Sequence, residues 1–388
     1  MKKIGAFLLS LILISSLCIC VFAENGTNYG ADLVAPDFTV NAKSAILIEA
    51  TSGTVLFEQN ADEAASPASV TKIMTLLLTM EALDEGKVAL DDKVMISANA
   101  ASMGGSQVFL EEGETMSLEE LLKCTVIASA NDAALALAEH IGGTESSFVN
   151  QMNLRAKQLG LKNTSFENVT GLDDTTKYHY SSARDIAIMS QELIKHELIT
   201  KFASMWQDTI RNGEFTLTNT NRLVRYYDGC NGLKTGSTEK AGYCISATAK
   251  RGEMQLIAVV MGAESRDERN SVARSLLDFG FANYAVYSQN EALVEKIPVS
   301  GAEVSEIQLY QKPFFKVINK SDSKKVEILY EIPQSLQAPI APEQVVGKIV
   351  YKIGDVKIGE SSVFVKVGLE KIGFADIFVA LVRKIFSF

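Results

Sequence analysis

Two groups of strand-like runs, separated by a long helical stretch, constrain the fold of this chain most strongly. The first group is a hairpin, in which Ser44–Glu49 and residues 54–57 flank the turn Thr51-Ser52-Gly53. The second group lies within residues 231–261. Residues 69–200 between them show mainly helical periodicity, so the two groups must pair across an insertion. The sequence predicts an α+β fold, with one antiparallel sheet flanked by helices and an inserted helical region.

Helix start and stop signals in the helical stretch support this division. Gly86 is a stop signal after an apolar helix, and residues 117–120 form a capping box before Leu121 and Leu122. The three later strands are expected at residues 231–235, 243–248 and 255–261. A final helix is expected at about residues 270–279, which would complete a domain over residues 24–290.

The composition changes near residue 290. Five of the seven prolines fall in the next part of the chain, among short Val, Ile and Tyr runs such as residues 326–330 and 345–352. This pattern predicts a separate small all-β domain at residues 291–366.

Residues 367–388 are expected to form an amphipathic helix. Wound as a helix, this tail places its apolar side chains on one broad face and its polar residues opposite. The expected apolar residues are Phe374, Ile377, Phe378, Leu381, Val382, Ile385 and Phe386. A short helix interrupted by charge would lie in a membrane interface rather than cross the bilayer. Docking of the helix on the protein itself is the alternative.

The first residues predict export. Lys2 and Lys3 precede an apolar run over residues 4–22, and Val21-Phe22-Ala23 has the small-residue spacing of a cleavage site. Residues 1–23 are therefore expected to be a signal peptide, with an uncleaved membrane anchor as the alternative. The net charge of −10 and the lack of a basic stripe argue against nucleic-acid binding.

Cys124, Cys230 and Cys244 would remain after cleavage of the signal peptide. Their odd number and irregular spacing match neither a disulfide framework nor a zinc site. A tight hairpin would place Cys230 and Cys244 several rows apart, so buried free thiols are expected.

Ser69 and Lys72 are the first candidate catalytic pair. Residues three apart on a helix share a face, and this pair opens an apolar helix. A cation in the first helical turn opposes the helix dipole, and desolvation would further disfavour its charge. Such a lysine is a candidate base for the serine. Taken alone, the segment favours the alternative of a capping serine followed by a surface lysine.

Two further segments carry candidate polar residues. Ser129 and Asn131 lie between two helical segments, where Asn131 and Asp132 could also serve as helix caps. Lys234, Thr235, Gly236 and Ser237 fall in a β-run, in which Gly236 would let a ligand approach the backbone closely. An edge strand with a solvated lysine is the alternative for this segment.

Together, the three segments resemble the motifs Ser-x-x-Lys, Ser-x-Asn and Lys-Thr-Gly of the serine penicillin-recognising enzymes. The surrounding residues 66–75, 127–134 and 232–243 resemble the low-molecular-mass D-alanyl-D-alanine carboxypeptidases of bacterial cell walls. The similarity extends over nearly the whole chain after residue 23, including the β-domain and the tail.

The resemblance implies a role for each motif residue. Ser69 would attack the carbonyl between the two terminal D-alanines, and Lys72 would accept its proton. Ser129 would relay a proton to the leaving D-alanine, and Asn131 would hold the peptide and help to position Lys72. The remaining implied roles are carboxylate binding by Lys234 and Thr235, and an oxyanion hole formed by the backbone N–H groups of Ser69 and Ser237.

The resemblance also implies partners and a location. Peptidoglycan stem peptides ending in D-Ala-D-Ala would be the substrates, β-lactam antibiotics the inhibitors, and no metal or cofactor would be needed. The protein would be extracytoplasmic and held at the outer face of the cytoplasmic membrane by residues 368–388. Arg269, expected just before the last helix, is a weaker candidate for the substrate carboxylate, with a surface salt bridge as the alternative.

Three other functions are weighed against this one. A Ser-His-Asp triad would need one of His140, His179 and His196, but the chain lacks the Gly-x-Ser-x-Gly turn. A β-lactamase usually carries Glu-x-x-x-Asn after the second motif, and the nearest candidates, Glu145 to Asn150 and Glu167-Asn168, have the wrong spacing. A penicillin-binding sensor or wall-binding module with a degenerate site is the non-enzymatic alternative, which the presence of every motif side chain disfavours.

Overall fold

The computed structural model describes residue 33 and residues 36–386. The expected signal peptide at residues 1–23, with Cys18 and Cys20, lies outside these residues.

Seventeen strands occur in the described part of the chain. They are β1 (Ser44–Glu49), β2 (Val55–Gln59), β3 (Lys93–Met95), β4 (Thr115–Ser117), β5 (Gln207–Ile210), β6 (Phe215–Thr218), β7 (Cys230–Thr238), β8 (Gly242–Arg251), β9 (Met254–Ala263), β10 (Tyr284–Gln289), β11 (Ala292–Ser300), β12 (Glu306–Gln311), β13 (Phe314–Asn319), β14 (Val326–Glu331), β15 (Leu336–Gln337), β16 (Val345–Ile353) and β17 (Val356–Val365).

Ten α-helices accompany them among the described residues. They are α1 (Lys72–Asp84), α2 (Ala98–Ala101), α3 (Leu118–Lys123), α4 (Asn131–Gly142), α5 (Glu145–Gln158), α6 (Ala183–Leu193), α7 (Glu197–Ala203), α8 (Leu223–Tyr226), α9 (Arg266–Asn283) and α10 (Phe374–Phe386). Short 3₁₀ segments add Ala68–Thr71, Arg211–Gly213 and Lys320–Asp322, and a π-helical segment spans Cys124–Ala128.

The main sheet joins the two groups of strands that the sequence separates. Its order is β2-β1-β9-β8-β7, and every neighbouring pair is antiparallel. Strand β1 pairs with β9 along its whole length, from Ser44 opposite Met261 to Glu49 opposite Leu256. The prediction of one antiparallel sheet assembled from distant parts of the chain is therefore confirmed.

Helices cover both faces of this sheet. Alternate residues of β1, such as Ile46 and Ile48, pack into one core with the helices of the inserted region. Ala45 and Leu47 face the other side and pack with α9. Because successive strand residues point to opposite faces, a strand buried on both sides reads as a continuous apolar run. This explains the continuous apolar run at residues 256–261 of β9.

The local signals in the inserted region are confirmed. Helix α1 ends at Asp84, and Gly86 follows in the left-handed region with φ +68°. Ser117 accepts a hydrogen bond from the Glu120 backbone while the Glu120 carboxylate accepts one from the Ser117 backbone, which completes the capping box.

Helix α9 is longer than the sequence predicted. It begins at Arg266 rather than near residue 270, because Ser265 provides the N-cap and accepts a hydrogen bond from the Glu268 backbone. The prediction that Arg269 precedes this helix is wrong, since Arg269 lies in its first turns.

A smaller all-β region follows α9. Six strands form a sheet in the order β14-β16-β17-β12-β11-β15, and β10 pairs antiparallel with β13 beside it. These strands enclose a separate apolar core that includes Leu309, Ile349, Tyr351 and Val363. Lys320 donates a hydrogen bond to the carbonyl of Phe281, which connects this region to the end of α9.

The three described cysteines are buried free thiols, as expected. In the β7–β8 pairing, Cys230 lies opposite Ala249, whereas Cys244 lies opposite Gly236. The two thiols are therefore separated by several rows of the sheet, and burial raises the pKa of each to about 11.

The tail forms helix α10 with exposed apolar side chains. Phe374 is 85% exposed and Ile385 is 70% exposed, and Ile377 and Phe378 are exposed as well. These exposures do not fit the alternative of a helix docked on the protein. Among the described residues, no helix combines the length and the apolar character that a membrane crossing requires.

Candidate active site

Ser69 and Lys72 lie at the junction of two helical segments. Ser69 belongs to the 3₁₀ segment Ala68–Thr71, and Lys72 is the first residue of α1. The Lys72 Nζ atom is 3.1 Å from the Ser69 Oγ atom. The spacing of three residues therefore places the amine against the hydroxyl, as the sequence predicted.

Lys72 is completely buried, which disfavours its charged form. Desolvation, followed by the charge of Lys234, lowers the pKa of Lys72 well below its ordinary value, and Asp132 opposes this only partly. Its Nζ atom is 2.5 Å from the Asn131 Oδ1 atom and 3.0 Å from the Thr170 carbonyl oxygen. A neutral amine has two N–H donors and one lone pair. The two oxygens accept the two donors, and the lone pair remains for the Ser69 hydroxyl.

Ser129 is held in an unusual backbone conformation at the edge of the cleft. It follows the π-helical segment Cys124–Ala128 and adopts left-handed φ and ψ angles of 62° and 28°. This conformation costs free energy for a residue other than glycine, and residues held in it concentrate at functional sites. The turn separates α3 from α4, and it leaves the Ser129 hydroxyl in contact with Lys234 and the Asn131 side chain in contact with Lys72.

Asn131 is fixed from both its backbone and its side chain. Its Nδ2 atom donates to the Gly104 carbonyl, and its backbone N–H donates to the Ser106 carbonyl. The side-chain oxygen is thereby oriented toward Lys72. A capping role does not apply to Asn131, because the N-cap position of α4 is Ala130.

Strand β7 brings Lys234 and Thr235 to the same place. The Lys234 Nζ atom donates to Ser129 Oγ at 2.7 Å and to its neighbour's carbonyl, Thr235 O, at 3.0 Å. An ammonium has three donors, so one remains for a ligand. Burial and the nearby Arg269 charge lower the pKa of Lys234 to about 7. Strand β7 is at the edge of the main sheet, as the alternative supposed, but Lys234 is buried, so the prediction of a solvated lysine there is wrong.

Gly236 lines the cleft. The sequence suggested that a glycine here lets a ligand approach the backbone, but the structure gives a different reason for it. A Cβ atom there would lie 2.7 Å from the Ser69 backbone nitrogen and 2.9 Å from that of Val70. Glycine is therefore required because the start of the Ser69 helix packs directly on β7. This contact brings Ser237 next to Ser69 at the edge of the cleft.

Arg269 is buried and lines the cleft. Its guanidinium donates to the Asn270 Oδ1 atom and makes a long contact of 3.5 Å with the Cys244 carbonyl. Burial, with the charges of Arg266 and Arg222 contributing, lowers the pKa of Arg269 to about 10. The alternative of a surface salt bridge does not fit this position.

The loop over residues 168–173 was missed at the sequence level. Its Thr170 carbonyl accepts the hydrogen bond from Lys72, and Asn168 Oδ1 accepts bonds from the Thr170 and Gly171 backbones. Gly171 has φ +84°, and a Cβ atom there would come within 1.8 Å of the Ala68 carbonyl oxygen. The Asn and Gly residues signal a turn, but their spacing does not reveal which side chain the turn contacts.

Asp173 joins the two segments that carry Ser69 and Ser237. Its Oδ2 atom accepts a hydrogen bond of 2.7 Å from the Ser66 hydroxyl and one of 2.6 Å from the Thr238 hydroxyl. Ser66 precedes the Ser69 helix, and Thr238 directly follows Ser237. One buried carboxylate therefore fixes the separation between the two backbone N–H groups that the resemblance assigns to the oxyanion hole.

The cleft has a volume of about 650 Å³ and extends well beyond the motif residues. Thr220 lies beside Thr235, whose hydroxyl donates to it at 2.8 Å. The other lining residues that sequence reasoning missed are Ser106, Trp206, Thr218, Asn219, Arg222, Tyr226 and Arg266.

The residues of the alternative mechanisms lie elsewhere. His179 is buried and bonds to Thr71 Oγ1 at 2.8 Å rather than to Ser69, and it accepts a bond from the Glu167 backbone. The Glu167 carboxylate accepts from the Lys177 and Tyr178 backbones, within its own loop. Neither Glu167 nor Glu145 lines the cleft.

This geometry is suited to nucleophilic acyl transfer. It combines a hydroxyl next to an amine whose charge is disfavoured by burial, a second hydroxyl bonded to a buried lysine, and cations that attract a carboxylate. The substrate that fits is an acyl compound with a carboxylate near the bond to be cleaved.

Comparison with known proteins agrees with the geometry. The family profile described as D-alanyl-D-alanine carboxypeptidase matches residues 31–265, and the profile described as penicillin-binding protein 5, C-terminal domain, matches residues 281–371. The chain is 44% identical over 382 residues to the D-alanyl-D-alanine carboxypeptidase DacF of Bacillus subtilis (strain 168), with 96% of each chain covered.

Solved structures are similar as well. The structure of penicillin binding protein 5 from Haemophilus influenzae aligns with a TM-score of 0.74 and 34% identity, covering 87% of this chain and 100% of that one. The ampicillin-bound penicillin-binding protein D2 from Listeria monocytogenes aligns with a TM-score of 0.59 and 32% identity, covering 63% of this chain and 99% of that one.

Proposed function

The chain belongs to the D-alanyl-D-alanine carboxypeptidase family of serine peptidases, and from this premise we propose how its residues remove the terminal D-alanine from peptidoglycan stem peptides. Ser69 is the nucleophile and Lys72 is its base. The Ser69 Oγ atom attacks the carbonyl carbon between the two D-alanines while the neutral Lys72 amine accepts the hydroxyl proton. The backbone N–H groups of Ser69 and Ser237 stabilise the negative charge that develops on the carbonyl oxygen.

Lys234, Thr235 and Ser129 act on the leaving D-alanine. The Lys234 ammonium and the Thr235 hydroxyl bind its carboxylate, with Arg269 adding positive charge nearby. Ser129, bridged to Lys234, relays the proton from Lys72 to the departing amine. Asn131 holds the substrate peptide and keeps Lys72 in place.

Hydrolysis of the acyl-enzyme completes the cycle. A water molecule attacks the ester on Ser69, with Lys72 and Ser129 carrying the protons, and the shortened peptide leaves. A β-lactam would acylate the same serine and be released slowly, because neither Glu145 nor Glu167 lines the cleft to activate a water molecule.

One observation carries this proposal: the buried Lys72 Nζ atom lies 3.1 Å from the Ser69 hydroxyl and within hydrogen-bond distance of two oxygen acceptors, Asn131 Oδ1 and the Thr170 carbonyl. A lysine arranged in this way is a base rather than a surface cation.

The decisive experiment measures D-alanine released from an acetylated peptide ending in D-Ala-D-Ala. We expect release by the unmodified chain, loss of release in Ser69→Ala, and inhibition by penicillin. Ser146→Ala, which changes an exposed serine outside the cleft, is the matched control and is expected to keep full activity.

Intact mass after exposure to penicillin identifies the nucleophile. A single adduct is expected, and peptide mapping should place it on Ser69. An adduct on another residue would refute the assignment, and adduct formation without D-alanine release would favour the penicillin-binding sensor. Rapid turnover of penicillin would favour a β-lactamase.

The proposed location follows from the two ends of the chain. Residues 1–23 direct export, and α10 binds the outer face of the cytoplasmic membrane through its exposed apolar residues Phe374, Ile377, Phe378 and Ile385. Co-sedimentation with anionic lipid vesicles tests the anchor. Binding is expected to be lost when residues 367–388 are removed, and unchanged binding would exclude this role.

We also propose that the two domains have different roles. Residues 24–290 form the catalytic domain, and residues 291–366 act as a spacer that holds the cleft away from the membrane and toward the wall. A chain truncated after residue 290 should keep its activity on a soluble peptide but lose activity on intact cell wall. Unchanged activity on intact wall would contradict the spacer role.

A further inference from the structure

We propose that the cleft also accepts leaving groups larger than alanine that carry a second carboxylate, which Arg222 and Arg266 hold. The inference rests on the proposed function, because it extends the leaving-group side of the same site. The substrate class is an acyl-D-alanyl amide of an acidic D-amino acid. The reaction is unchanged: the amide C–N bond breaks, the Ser69 ester forms, the departing amine takes the proton, and water later cleaves the ester.

The positive charge in the cleft exceeds what one carboxylate requires. Lys234, Arg222, Arg266 and Arg269 all lie in or directly on the cleft. Within the described part of the chain, none of the four forms a salt bridge. The carboxylate of a terminal D-alanine neutralises a single charge, so the remaining cations are available to a second anion.

The cations lie close enough together for the charge of one to affect the pKa of another. The charges of Arg266 and Arg222 contribute to the lowered pKa of Arg269, and the charge of Arg269 contributes to that of Lys234. A dianionic ligand would relieve this repulsion more than a monoanion.

The position of the two outer arginines assigns them to the leaving group. Arg222 follows Thr220, which bonds to Thr235, and Arg266 precedes Arg269 by one helical turn. Thr235 and Arg269 are on the side of Ser69 that receives the carboxylate, and that carboxylate belongs to the leaving amino acid. Arg222 and Arg266 are exposed at the mouth of the cleft, whereas Lys234 and Arg269 are buried deeper.

The cleft has the space and the apolar surface for a longer side chain. Its volume of about 650 Å³ is in the range of pockets that hold ligands much larger than alanine. Trp206 forms part of the wall; the Arg225 guanidinium lies 5.2 Å from its ring centroid, and the Tyr226 ring makes an edge-to-face contact with it at 6.3 Å. Asp267, the acidic neighbour of Arg266, lines an adjacent surface pocket and not the cleft.

The test uses the full chain and acetylated peptides that end in D-Ala-X, with X as D-alanine, D-glutamate or D-glutamine. D-Glutamate and D-glutamine have nearly the same shape and differ in charge. We expect kcat/KM for D-glutamate to exceed that for D-glutamine by about fivefold or more, the upper range for an exposed ion pair. Arg266→Gln should bring this ratio close to one, and high salt should lower it in the unmodified chain.

Arg274→Gln is the matched control. Arg274 is on α9, the helix that also carries Arg266. It lines the adjacent pocket together with Arg222 but does not line the cleft. The control should keep both the activity and the D-glutamate preference. A D-glutamate peptide cleaved no faster than the D-glutamine peptide overturns this inference alone, whereas failure to release D-alanine from any peptide overturns the proposed function with it.

Discussion

The Lys234 ammonium donates a 2.7 Å hydrogen bond to the Ser129 hydroxyl, although the two residues are 105 positions apart in the chain. The bond connects the strand that is proposed to bind the substrate carboxylate with the hydroxyl that is proposed to protonate the leaving amine. The proposed carboxylate-binding residue and the proposed proton relay are therefore in direct contact.

The first prediction separates these two roles by mutation. Ser129→Ala removes the proton relay and should lower kcat for D-alanine release by about 100-fold or more, with a smaller change in KM. Lys234→Ala removes the carboxylate contact and should mainly raise KM. Steady-state kinetics on an acetylated D-Ala-D-Ala peptide measures both, and a Ser129→Ala enzyme within threefold of the original kcat would contradict the relay.

The second prediction concerns pH. In the free enzyme, Lys72 must be neutral and Lys234 must be charged, so kcat/KM should fall at acidic pH as Lys72 gains a proton. It should also fall above about pH 7 as Lys234 loses its proton, because the pKa of Lys234 is lowered to about 7.

Lys234→Arg tests the assignment of the alkaline limb, because arginine stays protonated at these pH values. The limb should move to higher pH in this variant, even if the rate itself is reduced. In the unmodified enzyme, a bound carboxylate stabilises the Lys234 charge, so the limb in kcat should lie above that in kcat/KM. An alkaline limb at the same pH in Lys234→Arg would assign it to another group.

The third prediction concerns Asp173, which we regard as a positioning residue. Asp173→Ala should lower kcat by about 10-fold or more, because the Ser66 and Thr238 segments lose their common acceptor. Asp173→Asn keeps an oxygen that can accept both bonds, and its kcat should stay within about threefold of the original. If Asp173→Asn lowered kcat as much as Asp173→Ala, the negative charge of Asp173 rather than its two hydrogen bonds would be the important property.

The fourth prediction uses the buried His179. Burial lowers its pKa to about 4, below the ordinary value of 6.5, so the unfolded chain binds the proton more tightly than the folded chain. Stability should therefore fall as the pH drops from 6.5 to 4, by about 3 kcal/mol from this residue alone. Chemical unfolding at several pH values should show a flatter dependence in His179→Gln, and an unchanged slope would exclude His179 as its source.

The fifth prediction compares two glycines with nearly the same φ angle. Gly113 and Gly171 have φ +81° and +84°, but a Cβ atom meets nothing within 4 Å at Gly113 and lies 1.8 Å from the Ala68 carbonyl at Gly171. Gly113→Ala should destabilise the fold by about 1–2 kcal/mol through backbone strain alone. Gly171→Ala should cost about 2 kcal/mol more through overpacking.

Activity distinguishes the two glycine variants further. Gly171 is next to Thr170, whose carbonyl accepts from Lys72, so Gly171→Ala should also slow acylation of Ser69 by penicillin, whereas Gly113→Ala should not. Equal effects of the two substitutions on stability and acylation would contradict the steric account of this loop.

The sequence by itself determined the local arrangements. Three-residue spacing on a helical segment predicted that Lys72 and Ser69 share a face, because helical geometry fixes which residues are neighbours. The hairpin of β1 and β2, the capping box at Ser117 and the separate β-domain likewise followed from short patterns. The start of α9 was missed, because a serine N-cap was not recognised at Ser265.

Only the tertiary structure decided how the three motifs meet. The Thr170 carbonyl that orients Lys72 is a backbone atom, and every residue type carries one, so no residue pattern can identify it. The Asp173 bridge and the positions of Arg222 and Arg266 depend on how loops cross between distant elements. Burial, which lowers the pKa values of Lys72 and Lys234, is a property of the packed molecule, because desolvation arises only when other parts of the chain exclude water from both amines.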